Sequence, residues 1–493
     1  MKNLRPRIVV QQVIMVSIAI SFLTILPFSV NSNTLYADNT DQDLFTEMET
    51  ETQKDTNANQ SSWVQQFGEN LEGSFRLRYS HFFSTPHKTN LNDYESDVGE
   101  ALFRFSTWSG KDNFKVQLSG WAEAGSQDDS YEGVVHWPID NDNDRRYFEL
   151  NELYAFYTGD NFDFTIGKKI FDTGICTLFS PSDIFSPADL HDPLDPKQLG
   201  VWQIKTDYYH NNHTFEFAVM PIYTNTKSAS KDSRWWGDTS HLLAIQSFVN
   251  NLNKVVRDYI ITPDEPDISW EYMGYFAKYK TTQKGWDLFI SASSSPSPYS
   301  VLKIDWLELR EEKVRVNTVA TGFSTTWGDF EIHGEVAYNR SEKNRDDDYI
   351  NYVIGLNYTL NDFAHYFLME EILFTIEYAK EKIIDKQDFF PYILSSRYGR
   401  LGRDDLFFRT QLKYDEDLKF ENMFHYQFED SSWMNRFQAS YRFREGWTVT
   451  GAVEFFNKNN NDINLGSQLF YESFSYGNWD KNDRFILSLK YEF

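Results

Sequence analysis

From about residue 73 to the end of the chain, apolar and polar residues alternate with a period of two, segment after segment. Ser74-Phe75-Arg76-Leu77-Arg78-Tyr79 is typical. Successive side chains of a strand point to opposite faces, so Phe75, Leu77 and Tyr79 share one face and Arg76 and Arg78 the other. Segments of this kind lie at 73–82, 99–109, 113–124, 146–158, 161–169, 200–210, 213–220, 268–281, 286–294, 313–326, 328–339, 349–360, 370–381, 404–414, 417–428, 433–444, 446–457 and 484–493. They predict an all-β chain of about 18 strands, or sixteen if the two weakest segments fail.

The connections sort by length. Links from odd to even strands are mostly long: 83–98, 125–145, 170–199, 221–267, 295–312, 382–403 and 458–483. Links from even to odd strands are mostly tight, as at Ser109-Gly110-Lys111-Asp112, Gly159-Asp160, Asn211-Asn212, Trp327, Asp415-Glu416 and Glu445. Asn361–Met369 and Glu429–Ser432 depart from the rule. Long external loops alternating with short periplasmic turns predict a transmembrane antiparallel β-barrel, with apolar residues towards lipid.

Composition supports this expectation. Aromatic residues make up 17% of the chain, with 42 Phe, 29 Tyr and 14 Trp. The mean hydropathy is nevertheless −0.56. Aromatic-rich and hydrophilic together suit strands with one apolar and one polar face. The net charge of −26 disfavours nucleic acid as a partner. One cysteine, Cys176, leaves no intrachain disulfide and no Cys-based metal cluster.

At the N-terminus, Lys2, Arg5 and Arg7 precede an apolar run from Val13 to Val30 and then Leu35-Tyr36-Ala37. We read 1–37 as a secretory signal peptide, with an uncleaved inner-membrane anchor as the alternative, 38–72 as an acidic periplasmic tail and lead-in, and 73–493 as the barrel. Trp63–Phe67 is expected to begin a short helix. The segment 38–72 is too short for a receptor-type plug. At the other end, Phe485, Leu487, Leu489, Tyr491 and Phe493 fall on one face of the last strand. A terminal strand that closes on Phe resembles the signal read by the barrel-assembly machinery of bacterial outer membranes.

About 18 strands enclose a lumen wide enough for water unless loops fill it. With the aromatic parity outward, Arg409, Lys413, Lys419, Arg436 and Arg442 face inward on strands 14 to 16. Lys490, Arg76, Arg78, Arg104 and Lys115 continue the arc through strand 18 to strands 1–3, with Glu123, Glu421, Glu454 and Glu492 among them. The opposite wall carries Glu331, Glu335, Glu371 and Glu377 with His333. One reading is a basic ladder that guides anions across a transverse field; the other is Arg–Glu pairing that stiffens the wall.

The loop after strand 5 is the most constrained segment. It holds Ser180, Pro181, Asp183, Pro187, Asp189, Asp192, Pro193, Asp195 and Pro196, and its prolines define a stiff path suited to narrowing a pore. An ordered loop on the rim is the alternative. Asp183, Asp189, Asp192 and Asp195 offer oxygen ligands for Ca²⁺, but their spacing matches no calcium loop, so no metal is assigned. Between strands 7 and 8, Leu242, Ile245, Phe248, Val249, Leu252, Val255, Val256 and Tyr259 recur at helical spacing, which predicts a helix as a packed loop or lid.

Gly167-Lys168-Lys169, the Ser-Pro-x-Asp and Asp-Pro-rich loop, and Gly200-Val201-Trp202 together resemble large porin-like outer-membrane proteins, overlapping loosely with the alginate-export family. The resemblance covers the barrel in architecture and only about 167–202 and the C-terminus in motif. It implies passive export or uptake through an 18-stranded outer-membrane pore, without implying alginate as substrate; the inward charges add polar or anionic solutes as the expected cargo. The alternative is a closed barrel serving adhesion, assembly or complex formation. Neither reading needs a cofactor or fixes an oligomeric state. No Gly-x-Ser-x-Gly, His-Glu-x-x-His or Cys-x-x-Cys-His occurs, which argues against an enzyme; His191, His210 and His213 read as surface residues.

Overall fold

The computed structural model describes residues 63–84, 95–126, 131, 133–135, 144–229, 233–236, 261–262, 264, 266–305, 308–360, 364–388, 390–457 and 476–493. The leader and acidic tail expected up to residue 62 and the loop helix expected around 242–259 lie outside the described residues.

Eighteen strands form one closed antiparallel sheet. They are β1 (Glu72–Phe82), β2 (Asp97–Lys111), β3 (Phe114–Gly125), β4 (Phe148–Thr158), β5 (Phe162–Lys169), β6 (Val201–His210), β7 (His213–Ile222), β8 (Gly274–Gln283) and β9 (Trp286–Pro296). The second half comprises β10 (Arg315–Trp327), β11 (Phe330–Ser341), β12 (Asp348–Thr359), β13 (Glu371–Asp385), β14 (Asp404–Lys413), β15 (Leu418–Gln427), β16 (Ser432–Arg444), β17 (Trp447–Asn457) and β18 (Arg484–Glu492). Each pairs with its neighbours in sequence, and β1 pairs with β18 with Arg76 opposite Lys490. Closure leaves no open sheet edge, so strand amides and carbonyls are satisfied without water, as a bilayer requires.

The pleat separates the faces as the alternation predicts. Phe75, Leu77 and Tyr79 are exposed outward, whereas Ser74, Arg78 and Ser80 are buried inside. Outward apolar residues such as Ile166, Phe217, Ile290 and Ile354 are likewise exposed, as expected for a lipid-facing belt. The chain is thus a porin-like transmembrane barrel.

Tight turns at one rim use left-handed backbone at Asp112, Asn211, Lys284, Gly285, Gly328 and Gly446. A short helix, α1 (Trp63–Glu69), lies beside β2 where β1 has not yet begun. There the Gln66 side chain accepts from the Gly110 amide, and the Asn70 side chain donates to the Trp108 carbonyl. These contacts satisfy an edge that would otherwise be unpaired.

One strand start is corrected. The alternation places strand 8 at 268–281, but β8 begins at Gly274. Ile268 and Trp270 stay exposed in a turn closed by the Tyr272 amide on the Ser269 carbonyl. The Arg315 guanidinium fixes that turn by donating to the carbonyls of Glu271 and Met273 at 2.6 and 2.7 Å.

Candidate functional site: a loop across the lumen

The loop 170–200 leaves β5 beside Gly167, whose φ is +135°. A Cβ there would lie 2.2 Å from the Leu153 carbonyl oxygen, so glycine is needed for the chain to turn inward. The loop then enters the barrel instead of rising over the rim. Phe171 packs edge-to-face on Phe185 and on Phe276 of β8. Lys278 of β8 donates to the Thr173 carbonyl at 2.7 Å.

The next stretch crosses to β11 and β13, and Phe179 stacks on Phe407 of β14. Because β14 is nine positions from β5 in an 18-stranded ring, the first limb spans the barrel. Two buried carboxylates receive it. Glu335 accepts from the amides of Ile175 and Cys176 at 2.6 and 3.1 Å, and from the hydroxyls of Ser180 and Ser182 at 2.7 and 2.8 Å. Glu377 accepts from the amides of Thr177, Leu178 and Phe179 at 2.8–3.1 Å, and His333 Nε2 lies 2.9 Å from it. Bonds to a charged acceptor contribute about 1.5–3 kcal/mol each, so this limb is firmly held.

The second limb reverses the polarity. Here the loop supplies carboxylates and the wall supplies cations. Asp192 accepts from Arg78 at 2.7 Å and, through both oxygens, from Arg484 of β18 at 2.9 Å. Asp195 accepts from Arg76 at 2.7 Å and Arg78 at 2.8 Å, and Arg104 adds to the positive field there. Arg436 donates to the Leu194 carbonyl at 2.7 Å. Asp189 meets Lys197, Arg145 and His191, and Lys197 also reaches Glu123 at 2.5 Å. The strand Ala188–Leu190 pairs with Lys197–Gln198 and, in parallel, with Lys227–Ser228 of the loop after β7. The Pro187 carbonyl accepts from the Leu199 amide, which closes the limb.

Burial alone would raise the Asp192 carboxyl, but the Arg484 and Arg78 guanidiniums outweigh it and hold the group well below the usual carboxylate range. Asp183 behaves oppositely. Burial, reinforced by the Asp172 charge, pushes its carboxyl up to about 8 despite the bond from Ser186.

The expected basic arc therefore needs correction. Arg76, Arg78 and Arg436 do face inward, but the loop covers them; Arg78 is only 9% exposed. Farther towards the short-turn rim, Arg409 pairs with Glu421, Arg442 with Asp417 and Lys413 with Glu370, while Lys115 lies 5.2 Å from the Trp108 ring centre. On the opposite wall Glu331 accepts from Ser324 and Asn357. Glu335 and Glu377 receive loop amides rather than opposing the arc across open water. His191, expected at the surface, is 4% exposed against Asp189. The four loop aspartates do not converge on a cation: Asp192, Asp195 and Asp189 meet Arg or Lys, and Asp183 meets Ser186. Among the described residues no group of three or more His, Cys, Asp or Glu is arranged to hold a metal. Arg484 and Arg145 were missed by sequence reasoning; Arg484 shares the parity of Lys490, so its inward placement was readable. Phe485, Leu487 and Phe493 are exposed outward, and Phe493 stacks on Phe103 at the β1–β18 seam.

No protein-family model matches the chain, and no curated protein matches it. Solved structures with a similar course include three proteins of Pseudomonas aeruginosa. OccK2 (OpdF) in complex with glucuronate is 10% identical, with 86% of this chain and 95% of that chain covered and a TM-score of 0.47. OccK8 (OprE) is 10% identical, with 86% and 98% covered and a TM-score of 0.46. OpdK with vanillate is 10% identical, with 86% and 99% covered and a TM-score of 0.44. They supply no residue-by-residue correspondence.

Proposed function

We propose that the protein is an outer-membrane channel for passive diffusion or export of polar solutes, narrowed by the loop 170–200 and biased modestly towards anions. The carrying observation is that loop, tied to both walls of an 18-stranded barrel with a polar interior. The leader 1–37 directs export, and Phe485–Phe493 recruits the barrel-assembly machinery. The looser likeness to alginate exporters adds no polymer-binding residues to this reading.

The anion bias follows from charge at the second limb. Five guanidiniums converge there, from Arg76, Arg78, Arg104, Arg436 and Arg484. The carboxylates of Asp192, Asp195, Glu100 and Glu454 meet them, and the guanidiniums line a region walled off from bulk screening, where a passing anion meets them at close range. Single-channel recording of the purified full chain in a planar bilayer is the test. Discrete open-channel current is expected, with a small anion-selective reversal potential under a salt gradient, and deletion of 178–196 should raise the conductance. Absence of current supports the closed-barrel reading. Unchanged conductance in the deletion removes the loop from the pore, and cation selectivity removes the basic cluster from the mechanism.

A further inference from the structure

A second feature lies outside the lumen, on the outer face of the wall at the long-loop rim. Strand register sets which residues point outward there. Tyr338 of β11 lies opposite Ile350 of β12, which lies opposite Lys382 of β13; Val336, Tyr352 and Lys380 form the next row. Val336, Tyr338 and Tyr352 are exposed, so these rows belong to the lipid-facing belt. Arg340 stands two residues beyond Tyr338 on the same face, about 7 Å farther along the strand. Arg340, Lys380 and Lys382 therefore form a basic group across β11–β13 at the upper edge of the aromatic belt. At the same ends of β3, β7, β8, β16 and β18 the outward positions are Ala124, Val219, Tyr275, Trp433 and Phe485.

The charges this sector displays are basic. The Arg340 side chain is 72% exposed and that of Lys380 42%, whereas the carboxylates facing them, Asp348 and Asp404, are 13% and 24% exposed and sit back in the wall. Asp348 lies 4.0 Å from Arg340; Asp404 lies 2.9 Å from Lys380 and also accepts from the Tyr378 hydroxyl. Lys382 is exposed. Farther out, Lys343 pairs with Glu342 at 3.5 Å, and Asp385 ends β13. Exposed ion pairs of this kind contribute little, so Arg340 can leave Asp348 for a stronger anion at small cost. Beside the basic group stands the turn 268–273. Arg315, outward at the start of β10, holds that turn against the outer side of the wall and leaves Trp270 80% exposed. Asn317, two residues along from Arg315, lies opposite Arg340, so the indole turn and the basic group are neighbours.

We infer that this sector of the rim, Arg340, Lys380 and Lys382 with Trp270 beside them, binds the phosphorylated sugar headgroup of lipid A, the glycolipid of the outer leaflet. Three features select that occupant. A charge on the outer face of a barrel is costly in hydrocarbon and nearly free at the headgroup level, and the adjoining tyrosines mark that level. Phosphate oxygens are strong acceptors for guanidinium and ammonium donors, and a headgroup with two phosphates reaches bases on more than one strand. Ile268 and Trp270 present apolar surface at the boundary with the acyl chains, where indole rings are favoured. A soluble anion would leave that apolar turn uncovered, and a phospholipid with one phosphate would meet only part of the basic group. The inference goes beyond the channel reading and rests on it only for the membrane that supplies the lipid.

The test is lipid binding to the full chain in non-ionic detergent, read by native mass spectrometry during titration with bisphosphorylated lipid A, dephosphorylated lipid A and phosphatidylglycerol. Saturable adducts of bisphosphorylated lipid A are expected, tighter than those of the other two. The double variant Arg340→Gln with Lys382→Gln should weaken them about tenfold or more, since each basic group near an anionic lipid surface is worth roughly fivefold. The same variant should bind dephosphorylated lipid A as the wild type does. Trp270→Ala should weaken both forms of lipid A by the same factor. Lys284→Gln with Arg444→Gln, which removes exposed bases at the short-turn rim, should change nothing. Heat-modifiable migration reports that each barrel is folded. No preference for the phosphorylated glycolipid, unchanged affinity in the folded Arg340/Lys382 variant, an equal loss in the short-turn variant, or dimers in place of lipid adducts overturns the inference. Lipid A binding by a protein that passes no current would leave the inference standing and refute the channel.

Discussion

Replacing Asp192 with alanine should free the second limb of the crossing loop. In the wild type this carboxylate is 5% exposed and receives three hydrogen bonds from two guanidiniums. After truncation Arg78 keeps Glu100 and Asp195, and Arg484 keeps Glu454, so neither cation is left wholly unpaired. Removing one member of a buried ion pair costs about 3–5 kcal/mol, and the remaining partners place this case near the lower end. About 3 kcal/mol lowers the docked-to-released ratio by roughly two orders of magnitude. Lys197 reports release, because it is 5% exposed and clamped between Glu123 and Asp189. Trypsin should cut after Lys197 much faster in Asp192→Ala, with the new chain end identified by mass spectrometry. The same variant should show larger or flickering single-channel currents. Asp192→Asn, which keeps an acceptor but no charge, should fall between. Wild-type protection at Lys197 together with wild-type conductance in Asp192→Ala would refute the latch.

Two further outcomes follow from the same contacts. Asp183 binds its proton more tightly in the docked loop, with its carboxyl up to about 8, than in a released loop at ~4. Docking should therefore weaken progressively as pH rises from about 4 towards 8 and be weakest above it, whereas the depressed Asp192 contributes throughout that range and is lost only in stronger acid. Tryptic cleavage at Lys197 measured across this range should rise with pH, and Asp183→Asn should flatten the profile; a wild-type profile already flat would contradict the assignment. Removing Phe493 takes away the ring stacked on Phe103 and the terminal amide bonded to the Gly73 carbonyl at 3.0 Å. Less heat-modifiable barrel is expected in outer-membrane fractions, and normal levels would exclude Phe493 from assembly.

The strands were readable because a strand's period is short and local. A one-residue slip exchanges the two faces, so Phe75, Leu77 and Tyr79 fix β1 without knowledge of its partners. Where the local pattern misled, a distant residue decided. Ile268-Ser269-Trp270 alternates like a strand, but Arg315, over forty positions away, binds the carbonyls of the turn. The stiffness of the crossing loop was readable from its prolines. Its docking partners were not, because Asp192 and Arg484 are 292 positions apart and closure of the barrel brings them together.

That long-range pairing also changes what the lumen charges do. Read along the chain, the basic arc and the acidic wall look like a field across open water. In the folded barrel both walls grip the loop instead, through complementary chemistry. Glu377 binds backbone amides, which tolerates most side chains in the loop, and Glu335 binds two amides together with the Ser180 and Ser182 hydroxyls. Arg76, Arg78 and Arg484 bind aspartate side chains, which demands those residues at those positions. Over 175–179 the first limb is thus fixed by its path, whereas the second limb is fixed chiefly by its aspartates. Substitutions that release the loop should therefore concentrate at Asp192 and Asp195, while substitutions of outward-facing side chains in 175–179 leave it docked.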